Sequence, residues 1–144
     1  MTYLVDTNVL VYAFDAGHPE RSARATAWLD ALLERGVGAL SVQALSEFAN
    51  VALRRMQPAW SARETSATVL DLARAFVVVP VTPLVVVEAL RGVGEHGMSF
   101  FDAQMWAAAR LHQIPYLLTE DMAGGATVDG VTVVDPFRTD PTAD

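Results

Sequence analysis

An acidic residue ends the short apolar segment that opens the chain, and this feature constrains the fold most. Residues 3–5 read Tyr-Leu-Val and are followed directly by Asp6. A short apolar segment of this kind is typical of a buried β-strand. In an open α/β sheet, the carboxyl ends of the strands border the crevice in which ligands bind. The sequence therefore predicts a carboxylate at the edge of a sheet where a functional site can form.

Further apolar segments alternate with helical patterns along the rest of the chain. The predicted strands cover about residues 3–6, 38–42, 76–81, 115–119 and 131–134. Helical patterns separate them, including a capping box that starts at Ser61. Strands that alternate with helices indicate a parallel sheet with helices on both faces. We therefore expect an α/β fold with three layers, α/β/α, around a central five-stranded parallel sheet with the first strand in the middle.

The composition is that of one globular domain. The chain has 144 residues, 52% of them hydrophobic, which predicts a single domain over residues 1–144 with a flexible tail after about residue 137. The absence of cysteine excludes disulfides and thiolate zinc sites and fits a cytoplasmic location. The longest uncharged run, residues 75–87, is too short to cross a membrane, so we expect no membrane partner.

The charged residues exclude several classes of function. The formal net charge is −7, and all ten basic residues are Arg. Without Lys, the chain lacks the group needed for Schiff-base chemistry, for a P-loop or for the lysine of a receiver domain. A protein that binds nucleic acid through bulk charge is expected to be basic. Any nucleic acid must therefore be held locally, by Arg or by a metal ion.

Three more acidic residues are predicted to reach the same sheet edge as Asp6. Asp121 follows the fourth predicted strand, and Glu47 lies in the first turns of the helix after the second strand. Asp102 lies in the first turn of the helix that leads into the fourth strand. Such a helix runs antiparallel to the strand, so it starts at the strand's carboxyl edge. Four acids from separate segments are therefore expected at one edge.

Each of these acids alone also fits an ordinary structural role. The roles are capping of the first helix by Asp6 or Asn8, a solvated helix position for Glu47, a capping box Ser99-x-x-Asp102, and a turn at Asp121. Asp102 is the hardest to explain in this way, because it shares a helix face with apolar side chains. The one Arg in its helix, Arg110, lies about 12 Å further along the axis.

Clustered carboxylates need neutralisation. Two like charges about 4 Å apart repel by roughly 4 kcal/mol at an effective dielectric constant of 20. A set of four must be spread apart, protonated or neutralised. Oxygen ligands favour hard ions such as Mg²⁺ or Mn²⁺, and paired ions of this kind stabilise the attacking and leaving oxygens in phosphodiester cleavage. The acids therefore suggest a metal site.

Five segments of the sequence, taken in order, resemble one known family. The segments are Leu4–Leu10, Ser41–Arg54, Ser99–Ala103, Leu117–Asp121 and Val133–Phe137. They are similar to PIN domains, most closely to the VapC-type toxin ribonucleases of prokaryotic toxin–antitoxin pairs. The resemblance spans nearly the whole chain, although residues 57–97 match by element order alone. It implies a PIN-like fold and an endoribonuclease dependent on Mg²⁺ or Mn²⁺.

The resemblance also implies roles for individual residues and partners. The metal-binding and catalytic set would be Asp6, Glu47, Asp102 and Asp121. Residues that orient these acids would be Thr7, Asn8, Ser99 and Thr119. The adjacent Glu120 could compete with Asp121 for its role, and the sequence leaves this choice open. The implied partners are an RNA substrate, a second copy of the chain in a homodimer, and a small antitoxin protein that blocks the site.

Two other interpretations of the sequence remain open. A phosphoacceptor receiver domain also gathers acids at a parallel sheet edge, but the chain lacks Lys and Asp6 has no adjacent acid. A non-catalytic binding module could have kept the fold, but the presence of all four acids argues against such decay. Labelling with a small phosphodonor distinguishes the first alternative, and titration with Mn²⁺ distinguishes the second.

Overall fold

Six strands form one sheet in the computed structural model, which describes residues 2–141. The strands are β1 (Tyr3–Val5), β2 (Gly38–Ser41), β3 (Val77–Val79), β4 (Tyr116–Leu118), β5 (Thr127–Val128) and β6 (Val131–Val134). Their order in the sheet is β3-β2-β1-β4-β6-β5. All neighbouring pairs are parallel except β5 and β6. The strand β1 therefore lies inside the sheet, between β2 and β4, as the sequence predicts.

Six helices cover the sheet in the described part of the chain. They are α1 (Thr7–Phe14), α2 (Pro19–Arg35), α3 (Val42–Arg54), α4 (Ala62–Ala75), α5 (Pro83–His96) and α6 (Phe100–Leu111). The predicted capping box is present at the start of α4, where the side chains of Ser61 and Glu64 each accept a hydrogen bond from the other's backbone N–H. None of the helices in residues 2–141 combines the length and hydropathy needed to cross a bilayer.

The α/β prediction is confirmed, but the expected number of strands is corrected from five to six. The additional strand, β5, lies outside the five predicted strands, just before the last of them. Asp129 (φ 46°) and Gly130 (φ 84°) connect β5 to β6 in an antiparallel hairpin. Asp-Gly is the preferred pair for such a turn, because both positions need a positive φ. A strand of two residues is too short to show alternation, so only this turn pair signals it.

The core contains two buried tryptophans, Trp106 and Trp28, which pack against different segments of the chain. Trp106 in α6 is completely buried and lies directly under α5. A Cβ atom at Gly92 of α5 would come within 2.9 Å of the Trp106 ring, so the glycine permits the close approach of the two helices. The helix α5 continues past this glycine and ends at Gly97, which adopts a left-handed conformation (φ 67°).

The other tryptophan, Trp28 in α2, anchors the segment that follows β6. Its Nε1–H donates to the carbonyl oxygens of Pro136 and Thr139, at 3.2 and 2.9 Å. Arg24 also donates to these two carbonyls. The segment 136–139 is therefore attached to α2 by hydrogen bonds. The prediction of a flexible tail after about residue 137 also covers residues 142–144, which lie outside the described residues.

Candidate active site

Three carboxylates from separate segments meet at the carboxyl edge of the sheet. Asp6, Asp102 and Asp121 each offer one oxygen, and the three oxygens lie within 4.8 Å of one another. We call these residues the acidic cluster. Asp6 follows β1, Asp121 follows β4, and Asp102 lies in the first turn of α6. Within residues 2–141, none of the three forms an ion pair with Arg or His.

The backbone around Asp6 fixes the position of its carboxylate. Its N–H donates to the carbonyl oxygen of Leu118 at 3.0 Å, which ties the end of β1 to the end of β4. Its Oδ1 accepts from the N–H of Thr7 at 2.7 Å and so caps α1. The capping role that the sequence offers as an alternative is therefore present. The cap uses Oδ1 alone, so Oδ2 remains available to accept hydrogen bonds from neighbouring side chains.

Thr119 connects two members of the acidic cluster. Its hydroxyl group is completely buried and donates to Asp6 Oδ2 at 2.8 Å. The hydroxyl oxygen of Thr119 itself accepts from Asn8 Nδ2 at 3.0 Å and from the N–H of Asp121 at 3.1 Å. Asn8 Nδ2 also lies 3.0 Å from Asp121 Oδ2. The two side chains therefore hold Asp6 and Asp121 in fixed relative positions.

Ser99 supports the third member of the acidic cluster. Its Oγ donates to Asp102 Oδ2 at 2.8 Å, and it makes no side-chain capping bond to α6. The capping box proposed from the sequence is therefore not formed at this helix. Thr7, in contrast, contributes its backbone N–H and not its hydroxyl. In residues 2–141, Thr7 Oγ1 is the one fully enclosed side-chain oxygen or nitrogen without a hydrogen-bond partner.

Glu47, the fourth acid of the predicted set, is not one of the three clustered carboxylates. Its Oε1 accepts from Gln43 Nε2 at 2.7 Å, one turn earlier in α3. Its negative charge nevertheless contributes to raising the pKa of Asp6. Glu47 therefore lies beside the cluster, close enough to interact with it electrostatically.

Burial makes the ionised form of Asp6 unfavourable. Desolvation is the largest effect and, together with the charges of Asp121 and Glu47, raises the pKa of Asp6 from 3.8 to about 6. The hydrogen bonds from Thr119 and from the Thr7 N–H oppose this shift. A buried carboxylate with no cationic side chain beside it needs another source of positive charge. An all-oxygen donor set is the kind that Mg²⁺ and Mn²⁺ prefer, so the acidic cluster fits such an ion.

Glu120 has a different partner from its neighbour Asp121. Its Oε2 accepts a hydrogen bond from the Arg21 guanidinium in α2. The Arg21 Cζ lies 4.5 Å from the centre of the Phe137 ring and 5.1 Å from that of Tyr12. Two aromatic rings therefore hold the Arg that pairs with Glu120. The pairing directs Glu120 to α2, whereas Asp121 joins the acidic cluster.

Sequence reasoning did not identify these supporting contacts. The Arg21–Glu120 pair joins residues 99 positions apart, and no local pattern connects them. Gln43 and Glu47 have the spacing of neighbours on one helix face, which is a usable signal. Gln104 donates from Nε2 to Gln43 Oε1 at 2.9 Å. This bond crosses between helices and becomes visible only once α3 and α6 are packed.

Comparison with known proteins identifies the family. The family model of the PIN domain matches residues 3–123, which is most of the chain. The protein therefore belongs to the PIN domain family. This membership removes the support for the receiver-domain alternative. No curated protein matches the chain.

Solved structures share the fold at low sequence identity. One is a toxin–antitoxin complex from Klebsiella pneumoniae, with a TM-score of 0.66, 23% identity, and coverage of 94% of this chain and 98% of that one. Another is VapC20 from Mycobacterium tuberculosis, described as a toxin that cleaves the sarcin–ricin loop (TM-score 0.63, 22% identity, coverage 89% and 98%). A third is DNA-bound VapBC from Salmonella typhimurium (TM-score 0.65, 13% identity, coverage 94% and 98%).

Proposed function

We propose that the protein is an endoribonuclease that depends on Mg²⁺ or Mn²⁺ and hydrolyses phosphodiester bonds of RNA. The observation that carries the proposal is the acidic cluster, in which three carboxylates converge without a cationic side chain among the described residues. Such a cluster is electrostatically unfavourable unless a cation joins it. Membership of the PIN domain family supports the same assignment.

The residues of the candidate site would have two roles: the acids would hold the ion, and their hydrogen-bond partners would orient the acids. Asp6, Asp102 and Asp121 would hold the metal, with Glu47 as the outer acid. When bound, such an ion lowers the pKa of a water molecule and stabilises negative charge on the phosphate. The orienting groups would be Thr7 through its N–H, and Asn8, Ser99 and Thr119 through their side chains.

We further propose that this ribonuclease is the toxin of a type II toxin–antitoxin pair. The structural relatives support this, because they include a toxin–antitoxin complex and a toxin described as cleaving the sarcin–ricin loop. The partners would be a cognate antitoxin and a second copy of the chain in a homodimer, and the cytoplasm would be the location. Exposed apolar residues along α5, Leu84, Val87 and Leu90, are available for such contacts.

The test is cleavage of RNA with controlled metal content. The purified protein is incubated with structured and single-stranded RNA in Mg²⁺, in Mn²⁺ and in EDTA, and the products are resolved by electrophoresis. We expect cleavage with either ion, none in EDTA, and loss of cleavage in the Asp102→Asn variant, which keeps the shape and removes the charge. Cleavage that persists in EDTA, or wild-type rates in Asp102→Asn, would contradict the proposal.

Binding of the ion is measured separately from cleavage. Titration with Mn²⁺, followed by calorimetry or by electron paramagnetic resonance, distinguishes an active enzyme from a non-catalytic module that has kept the fold. We expect saturable binding that Asp6→Asn and Asp121→Asn weaken. A chain that binds Mn²⁺ no better than these two variants is the non-catalytic module.

A further inference from the structure

A pocket opens between α3 and α6, beside the acidic cluster. Its volume is about 360 Å³, within the range of small-molecule sites. The residues used below are Val42, Gln43, Glu47, Phe101 and Gln104, all of which line it. We call this cavity the α3–α6 pocket. Among these residues there is no Lys, Arg or His, so its walls are apolar or neutral apart from the carboxylate of Glu47.

The α3–α6 pocket is next to the proposed cleavage site. Phe101 directly precedes Asp102 of the acidic cluster. Glu47, which also lines the pocket, is close enough to Asp6 for its charge to raise the pKa of that residue. The pocket is therefore close enough to the cluster for one substrate molecule to occupy both.

The polar wall of the pocket contains an amide with unused hydrogen-bonding capacity. Gln104 has 8% of its surface exposed, and its Nε2 donates one hydrogen to Gln43 Oε1. Gln43 in turn uses its own Nε2 on Glu47 Oε1 and on the carbonyl oxygen of Phe101, at 2.7 and 3.1 Å. In residues 2–141, no hydrogen bond reaches Gln104 Oε1. One N–H and one carbonyl oxygen of this amide therefore remain for a ligand.

The open wall of the pocket is an aromatic ring. Phe101 has 63% of its surface exposed, although it lies in the first turn of a helix that is otherwise largely buried. The edge of its neighbour Phe100 contacts it, with the ring centres 5.2 Å apart and the planes at 76°. Val42, 43% exposed, provides a second apolar surface. Phe101 and Gln104 line the same pocket, so a planar group stacked on the ring would share the pocket with the amide.

We propose that the α3–α6 pocket binds one unpaired nucleobase of the RNA, next to the phosphate that is cleaved. The inference rests on the proposed ribonuclease function and names a determinant of its substrate specificity. A nucleobase combines the two properties that the pocket requires, a planar face for the aromatic ring and a donor–acceptor edge for the amide. A phosphate group does not fit, because the pocket carries Glu47 and no cation.

A peptide side chain from a protein partner is a less suitable occupant. It could cover Phe101 and Val42, but an apolar side chain would enclose the free amide groups of Gln104 without satisfying them. Buried amide groups without partners are unfavourable. The unused groups of Gln104 therefore favour a base over an apolar peptide side chain.

The first test compares cleavage profiles of single-stranded RNA with randomised sequence. The variants are Phe101→Ala, which removes the stacking ring, and Gln104→Met, which keeps the length and removes the amide. The control is Leu70→Ala, which truncates an exposed residue of α4 that does not line the pocket. We expect Phe101→Ala to lower kcat/KM about tenfold, mainly through KM. We expect Gln104→Met to flatten the base preference at one position beside the cut.

The second test does not depend on cleavage or on metal. Unphosphorylated nucleosides are titrated into the wild-type protein in EDTA, and the side-chain amide signals of Gln104 are followed by nuclear magnetic resonance. We expect saturable shifts of these signals that Phe101→Ala abolishes and Leu70→Ala preserves. Nucleosides that leave the Gln104 amide unchanged would overturn the inference.

The outcomes separate this inference from the proposed function. Wild-type protein that cleaves no RNA refutes the ribonuclease function, while the nucleoside titration still reports on the pocket. Wild-type protein that cleaves RNA, with Phe101→Ala and Gln104→Met matching Leu70→Ala, refutes the base pocket alone. Variants that weaken binding of a partner protein but leave the RNA profile unchanged also refute it, because the pocket is then a protein-binding surface.

Discussion

The hydroxyl group of Thr119 donates a hydrogen bond to Asp6 Oδ2 over 2.8 Å, at the adjoining ends of two parallel strands. The Thr119 hydroxyl oxygen also accepts hydrogen bonds from the Asn8 side chain and from the backbone N–H of Asp121. One buried side chain thereby links the carboxylate of Asp6 to the backbone of Asp121, in a segment more than 100 residues away. This contact helps to position two acids of the candidate site.

We therefore expect Thr119→Val to impair the site although the residue is not acidic. Valine has nearly the same shape but lacks the oxygen that joins Asp6, Asn8 and Asp121. Loss of an orienting partner of this kind lowers metal affinity or activity by about 10–100-fold. Mn²⁺ affinity and RNA cleavage are the measurements. Thr119→Ser is the control, because it restores the hydroxyl; a serine variant as impaired as the valine variant would contradict the hydrogen-bond explanation.

The raised pKa of Asp6 predicts a pH dependence of stability in the metal-free protein. An acid whose pKa is higher in the folded state stabilises that state while it is protonated. Its contribution is complete below the unfolded-state pKa, 3.8, and is lost as the pH rises through the folded-state pKa, about 6. The shift corresponds to at most about 3 kcal/mol. The Asp6→Asn variant has no ionisable group at this position, so its stability should not fall in this way as the pH rises.

The measurement is urea unfolding of wild-type protein and Asp6→Asn in EDTA between pH 4 and pH 7. We expect the variant to become progressively more stable relative to wild type as the pH rises, because only the wild-type residue ionises. The other acids titrate in both proteins, so their contributions largely cancel in the difference between the two unfolding free energies. A difference in unfolding free energy that stays constant across this range would show that Asp6 keeps its ordinary pKa.

Glu120 and Asp121 are adjacent acids, and the structure predicts opposite consequences of neutralising them. Glu120 pairs with Arg21, whereas Asp121 lies in the acidic cluster. We expect Glu120→Gln to retain RNA cleavage within a few-fold and Asp121→Asn to lose most of it. Parallel kinetic assays of the two variants provide the check. If Glu120→Gln is the more damaging of the two, the assignment of Asp121 to the metal is wrong.

Glu47 should contribute less than Asp102 to metal binding, because it does not belong to the acidic cluster. Its carboxylate lies outside the group of three oxygens and is engaged by Gln43. We expect Glu47→Gln to reduce Mn²⁺ affinity less than Asp102→Asn does, because it removes charge near the ion and not a clustered ligand. Calorimetric titration of both variants measures the order. Equal losses would place Glu47 among the direct ligands once the ion is bound.

The sequence predicts the outline of this fold well because its strands and helices are encoded locally. The strand that ends at Asp6 and the helix that contains Asp102 are recognisable from their apolar spacing. Topology then brings the ends of the parallel strands to one edge, so convergence of the acids is predictable without coordinates. The hairpin at Asp129 was missed, because β5 has only two residues.

The sequence does not predict contacts that depend on packing between distant segments. The attachment of Arg21 to Glu120 and the link from Gln104 to Gln43 join different helices or loops. Their side chains meet only after the helices have taken their places on the sheet. Glu47 illustrates the same limit: its position at the correct edge is predictable, but the packed structure is needed to show that it pairs with Gln43 and lies outside the acidic cluster.

The last prediction concerns inhibition by a partner protein. The acidic cluster has no cationic side chain beside it in the described part of the chain, and an Arg from another protein would satisfy its carboxylates through paired hydrogen bonds. We expect an antitoxin to inhibit the enzyme by inserting such an Arg in place of the metal ion. Partner and metal should then compete, so that saturating Mg²⁺ weakens the partner's binding.

The measurement is the affinity of a candidate antitoxin protein for this chain across a range of Mg²⁺ and Mn²⁺ concentrations. Competition predicts that the apparent Kd rises in proportion to metal concentration once the metal site is saturated. Asp102→Asn should weaken the partner as well, since it removes one of the charges that the Arg would neutralise. A partner that binds equally well with and without saturating metal, and equally well to Asp102→Asn, does not act through the acidic cluster.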